Sequence, residues 1–346
     1  MNLKKITSIA FASIMLFATS CRSESSISEE QPKGKYQDGI LMSNEGNYGT
    51  PNADVTFMSS DMNSVFQQIY KNNNSENLGD VLQTIGFYGN YSFLVLNNSN
   101  KVKVVDRYNF QKVAEITDQL NQPRYITFNN NKVYITNDTK YVNIYDANNL
   151  SLIKRLNVVD NAERIVSAGA TVFVQNAAWG FGNKLTYFNS SDNTTLSSLT
   201  IPNGQIQKTI TDNVFVYVVA SDSTAADSYI YQISSAGTIV KTITLTGIPK
   251  ATNLSLDNGK FYFTSGMKIY SMGANSSTVP TTPIVTATES APYSGLYGFE
   301  VIDGRIYTSD AQGFTADSKV TIYDANSGST LKVITAGRAT NGFFKN

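Results

Sequence analysis

PRYITFNNNKVYITNDTKYVNIYDANNLSLIKRL, residues 123–156, holds four short runs in which apolar and polar residues alternate, divided by turns rich in Asn and Asp. Alternation at that period marks strands on a packed sheet, and Asn/Asp turns between them mark hairpins. The segment therefore predicts a four-stranded antiparallel meander. Its second run, VYITND from Val133, has counterparts at Ile40 (ILMSNEG), Phe93 (FLVLNN), Val172 (VFVQNA), Phe215 (FVYVVAS), Phe261 (FYFTSG) and Ile306 (IYTSDA), seven in all. From Phe93 onward the units recur roughly every 40 residues, a repeat length typical of propeller blades. Third runs agree, from Ala53, Lys101, Tyr141, Lys184, Ser228, Lys268 and Lys319, and fourth runs follow at Gln111, Ser151, Thr238 and Thr330.

First runs precede only the last six units, from Asp80, Arg124, Arg164, Ile206, Ala251 and Leu296. The unit at Ile40 has none upstream, while TNGFFKN, residues 340–346, has no later run to pair with. An open seam in a ring of sheets leaves backbone donors and acceptors unsatisfied on both edges. The predicted fold is accordingly all-β: a seven-bladed β-propeller over residues 37–346, four antiparallel strands per blade, with the C-terminal strand supplying the innermost strand of the first blade. Phe343 and Phe344 then face opposite sides of that strand, one toward each neighbouring blade. A parallel β-helix is the other repeat architecture to weigh, but its short rungs lack four antiparallel hairpin turns per repeat.

Composition narrows function. The 346 residues carry 27 Lys and Arg against 27 Asp and Glu, so no basic field calls for nucleic acid. Twenty Tyr and 18 Phe suit half-buried strands. Histidine is absent, which removes His-based metal sites, Ser-His-Asp triads and Cys-His pairs together.

MNLKKITSIAFASIMLFATSC joins Lys4 and Lys5 to an apolar run from Ile6 to Ala18 and small residues before Cys21, the pattern of a secretory signal over residues 1–20. ATSC resembles a bacterial lipoprotein box, with Ala18 where Leu is usual. That resemblance implies lipid on Cys21 and anchoring to a membrane; a free cysteine at an ordinary cleavage site is the plainer alternative. Residues 21–36 are polar, without periodicity, and read as a flexible tether. Cleavage removes Lys4 and Lys5, leaving 25 basic residues against 27 acidic ones. Cys21 is the only cysteine, so a disulfide within the mature domain is impossible.

YITND, residues 134–138, and its variants resemble the YVTN-type β-propellers of bacterial surface proteins. A narrower resemblance runs through GILMSNEGNYGTPNADVTFMSSD, NLGDVLQTIGFYGN and GLYGFEVIDGRIYTSDAQGFTADSKVTIYD. These are similar to lipoprotein propellers of Bacteroidota that sit beside TonB-dependent outer-membrane transporters, some of which capture cobalamin at the cell surface. The resemblance covers residues 37–346 and is more specific for fold and location than for ligand. It implies a lipid-anchored outer-membrane protein, exposed at the cell surface, that passes a corrinoid or similarly large, amide-bearing molecule to a transporter. No cofactor and no enzymatic step are expected.

Loops on a rigid scaffold commonly carry binding. Those after second and fourth runs emerge on one face, and five are long: Glu45–Ala53, Asn176–Asn183, Ser221–Asp227, Glu289–Gly295 and Ala311–Ser318. They are expected to gather Tyr48, Trp179, Phe181, Tyr293 and Phe314 around one mouth, flanked by the amides of Asn47, Asn52, Asn176, Asn183 and Gln312. Rings beside amides suit a large, neutral, amide-rich ligand. Trp179 between glycines also fits a plug over a blade edge. Arg124, Arg164 and Arg338 are placed at the same mouth, near Asp80 and Glu163, either to orient an anionic group or as a structural charge network. A hydrolase of the lactonase sort needs inward acids and amides around a cation; Asp80, Glu163 and Asn253 are the residues for it, and the neighbouring arginines oppose one. A docking scaffold without a small-molecule ligand is the remaining alternative.

Overall fold

Each of the seven second runs is a strand, and each is the second strand of its own sheet. The computed structural model describes residues 33–178 and 181–346. The signal segment, Cys21 and most of the tether therefore lie outside the described residues, as does Trp179. Gly34–Asn346 form one compact unit, in which the described residues make seven four-stranded antiparallel sheets, the blades.

The third blade shows why the sequence folds this way. Val133, Ile135 and Tyr145 pack toward Phe93, Val95 and Val104 of the second blade. Tyr134, Val142 and Ile144, their neighbours in sequence, pack toward Ile165, Val172 and Phe188 of the fourth. Successive side chains on a strand point to opposite faces, and here both faces are covered, so the middle strands carry apolar residues almost without interruption. The same arrangement recurs at every junction of the ring, with buried clusters between blades one and two, four and five, five and six, six and seven, and seven and one. Contact is close. A Cβ on Gly86 in the inner strand of blade two would come within 2.6 Å of Ile126 in blade three.

Closure follows the expected route. The final strand, Thr340–Lys345, pairs antiparallel with Gly39–Asn44, setting Phe343 opposite Met42 and Phe344 opposite Leu41. Phe343 is buried beside Met42, Tyr307, Val320 and Ile322, at the junction with blade seven. Phe344 turns to the other side and meets Phe87 of blade two edge-on, ring centroids 6.5 Å apart.

Three features differ from the sequence reading. The outermost strand of blade one is only Val65–Phe66, and a short helix, Ile69–Asn74, follows it. Ile69 and Tyr70 are fully buried, while the Asp54 carboxylate accepts from the backbone N–H groups of Tyr70 (2.9 Å) and Lys71 (3.2 Å). These contacts satisfy donors that an isolated short helix leaves open. The outermost strand of blade six is likewise short, Val285–Thr286. Finally, most of the expected Asn176–Asn183 loop is strand, because Thr171–Ala178 and Phe181–Asn189 continue the hairpin outward.

Candidate functional site

Asn341 stands opposite no residue of its partner strand: Ser43 pairs with Gly342 and Asn44 with Thr340, leaving Asn341 as the extra residue of a β-bulge. Gln83 is the extra residue in blade two and Gln207 in blade five, and the register slips by one between Thr252 and Ser255 in blade six. In the other three blades the irregularity falls just ahead of the regular inner strand. Thr136 accepts from Arg124 N–H (2.8 Å) and donates to the Tyr125 carbonyl (2.9 Å), so two residues face one. Gln175 does the same with Glu163 and Arg164, and Ser309 with Tyr297 and Gly298. A bulge bends its strand and re-aims a side chain. Repeated at one level in every blade, it turns polar side chains toward the axis.

The result is a central cavity of about 1090 Å³, larger than most small-molecule sites. Every blade contributes to its wall: Asn341, Gln83, Arg124, Arg164, Lys208, Asn253 and Glu300, from first to seventh. Tyr48 and Phe314 line it as well, from the loops of blades one and seven.

The charges inside have distinct environments. Arg124 pairs with Glu163 (3.0 Å) and donates to Gln83 Oε1 (2.6 Å); burial pushes its basicity down, but the Glu163 carboxylate overcomes this and the guanidinium ends above its ordinary value. Glu45 accepts from Tyr297 Oη and Asn341 Nδ2, both at 2.7 Å. Burial raises its pKa and those two donors hold it back. Lys208 is a buried ammonium 3.3 Å from Glu300 Oε2. Burial lowers its pKa, Glu300 opposes the shift and Arg164 adds to it. The Arg164 guanidinium lies 4.6 Å from the Tyr125 ring centre, and among the described residues it has no carboxylate within ion-pair distance. Arg338 donates to Asn47 Oδ1 and to the Phe314 carbonyl, each at 3.2 Å, stapling the loops of blades one and seven together.

Of the residues expected at the mouth, Tyr48, Arg124, Arg164, Phe314 and Arg338 do line this cavity. Phe181 and Tyr293 do not; they stand 76% and 91% exposed. Asn52 is also outside the lining, its Oδ1 accepting the Asn47 N–H within the loop. Asn176 donates to the Asn161 carbonyl and accepts from Thr186, and Asn183 donates to the Ile201 carbonyl, so these amides serve the scaffold. Asp80 accepts from Gly49 N–H and from Asn98, holding the Glu45–Ala53 loop down. With Glu163 held by Arg124 and Asn253 donating to Thr264 and to the Leu296 carbonyl, the three side chains considered for a cation are each engaged separately. Sequence reading missed Lys208, Glu300, Glu45, Gln83 and Asn341. Four of these interrupt or immediately precede an apolar first run, and a polar residue recurring there was the available signal.

Fold and cavity together define the class: a seven-bladed β-propeller with a polar, charge-lined central site. Residues 38–343 match a family model described as a domain of unknown function, DUF5074, and the chain belongs to that family. No curated protein matches at a significant level. Among solved structures, a quinonprotein alcohol dehydrogenase-like protein from Bacteroides thetaiotaomicron is similar at 13% identity and TM-score 0.70, over 90% of this chain and 78% of that one. The periplasmic gluconolactonase of Pseudomonas aeruginosa is similar at 12% identity and TM-score 0.66, over 88% and 98%. A functionally unknown protein from Desulfotomaculum acetoxidans gives 9% identity and TM-score 0.66, over 89% and 99%. At these identities the likeness is one of fold.

Proposed function

We propose that this protein is a binding propeller anchored by lipid at Cys21 to the outer membrane, facing the cell surface. It captures a large, amide-bearing molecule at the central cavity and passes it to a TonB-dependent transporter, without chemistry on the cargo; a corrinoid is the leading candidate. The observation that carries the reading is the cavity itself, about 1090 Å³ and walled by a polar side chain from all seven blades. A rigid ring holds such groups in place before the ligand arrives, which lowers the ordering cost of binding. Amide groups both donate and accept, and Gln83 and Asn253 bring theirs to the wall, while Tyr48 and Phe314 add apolar contact at the rim. The chain has no histidine to ligate a cobalt ion, so recognition acts through the ligand's periphery.

Titration calorimetry and absorbance with cobalamin and cobinamide test the proposal on the purified protein. Binding of either one is the expected result. No heat and no spectral change at high micromolar ligand rejects the corrinoid assignment.

A further inference from the structure

Counted by charge, the cavity wall is unbalanced: Arg124, Arg164, Lys208 and Arg338 face only Glu45 and Glu300. The surplus is local. Arg124 has Glu163 behind it, and Arg338 is bonded to rim atoms with Asp317 at 3.8 Å. Lys208 and Arg164 belong to adjoining blades, and Glu300 is the one carboxylate in ion-pair contact with either among the described residues. That carboxylate also accepts from Ser255. Buried Lys208 thus holds the one carboxylate in contact, and Arg164 is left without one among the described residues. Burying a charge is costly unless it is paired; Lys208 is paired, whereas the partly buried Arg164 guanidinium beside it is not, so the two cations are one anion short.

We infer that Arg164 and Lys208 form an anchoring subsite for an anionic oxygen group, phosphate or carboxylate, on the molecule that enters the cavity. This rests on the binding reading above and adds the chemistry of one end of the ligand. A guanidinium supplies planar paired donors and an ammonium a compact charge, a combination suited to an oxyanion. Tyr125 braces the guanidinium face. An anion placed between the two cations replaces the solvation that Lys208 gave up and relieves its repulsion with Arg164. The ligand therefore enters with its charged group toward blades four and five and leaves its bulk against Tyr48 and Phe314.

Thermal melting with sodium phosphate and with sodium acetate, each against chloride at matched ionic strength, tests the subsite. Phosphate strengthens burial in any protein, so the deciding quantity is the difference between wild type and Arg164→Gln. Wild type is expected to gain more than the variant, with Arg164→Lys intermediate and Lys208→Met resembling Arg164→Gln. An equal gain in wild type and Arg164→Gln for both anions overturns the subsite. Cobalamin carries a phosphodiester and cobinamide lacks it, so Arg164→Gln is expected to weaken cobalamin at least tenfold and cobinamide little. Anion protection through Arg164 with neither corrinoid bound keeps the subsite and rejects the corrinoid. Corrinoid binding indifferent to Arg164→Gln, without anion protection, does the reverse.

Discussion

Phe343 in the last strand lies directly across the sheet from Met42 in the first, and its ring sits 5.6 Å from that of Tyr307 in blade seven. One side chain from the C-terminal strand thus joins the seam within blade one to the junction beside it. Removing a buried Phe ring costs about 3–5 kcal/mol, so Phe343→Ala should lower the melting temperature well beyond Phe344→Ala, whose ring is half-buried. Truncation to residues 1–337 should abolish the cooperative melt. A native-like transition in the truncated chain, followed by scanning calorimetry and limited proteolysis, would contradict the closure argument.

Acid should weaken the fold through Glu76. Its carboxylate accepts from Tyr70 Oη and from Lys103 Nζ (2.9 Å), with Lys112 at 3.5 Å, and these donors hold its pKa near about 2 against an ordinary 4.5. A carboxylate with a depressed folded pKa contributes stability above its unfolded pKa and loses it as pH falls toward the folded one. The contribution is therefore complete above pH 4.5 and fades from there toward pH 2. Glu76→Gln should flatten melting temperature against pH in that window; identical slopes in both proteins would dismiss the role.

Aromatic anchors at the rim can be ranked by binding. Removing one that is a true hot spot costs about 2 kcal/mol or more, which is roughly thirtyfold in affinity. Phe314→Ala, which takes away a cavity wall also braced against Tyr297, should reach that loss for the bound corrinoid. Tyr293→Ala should change it little, because Tyr293 is outside the lining. The sequence reading predicts a loss of at least roughly thirtyfold for Trp179→Ala, and titration of all three variants separates a site in the cavity from one spread over the outer loops.

Cys21→Ala should move the protein from the membrane to the soluble fraction. Cell fractionation with lipid labelling checks this, and equal membrane association of the variant would require another anchor. Protease shaving of intact cells should cleave the wild-type protein if it faces outward.

Strand order and ring closure were legible because they rest on alternation, which is local. The unmatched unit at Ile40 and the apolar pair Phe343–Phe344 are enough to join the ends, and the structure joins them there. The helix at Ile69 was not legible, since it depends on Asp54 reaching across from another strand to satisfy its first turn. The site was half legible for the same reason. Arginines flanking inner strands stand out in sequence, whereas Lys208 looks like an ordinary exposed residue until the one-residue slip after Ile206 and the fold around it bury it.

The ring of bulges separates two kinds of information carried by the inner strands. Regular pairs such as Ile85 with Leu94 and Ile126 with Ile135 hold each blade together and answer to its neighbours. Bulged residues such as Gln83 and Asn253 stand outside those pairs and face the axis, whereas Asn341 also bonds Glu45 and the carbonyls of Leu82 and Gln83. Such a scaffold can change its cargo by drift at seven positions while its architecture stays under separate selection. Relatives with identical blades and unrelated ligands are what that uncoupling allows, and the inner bulge positions are where their sequences should part.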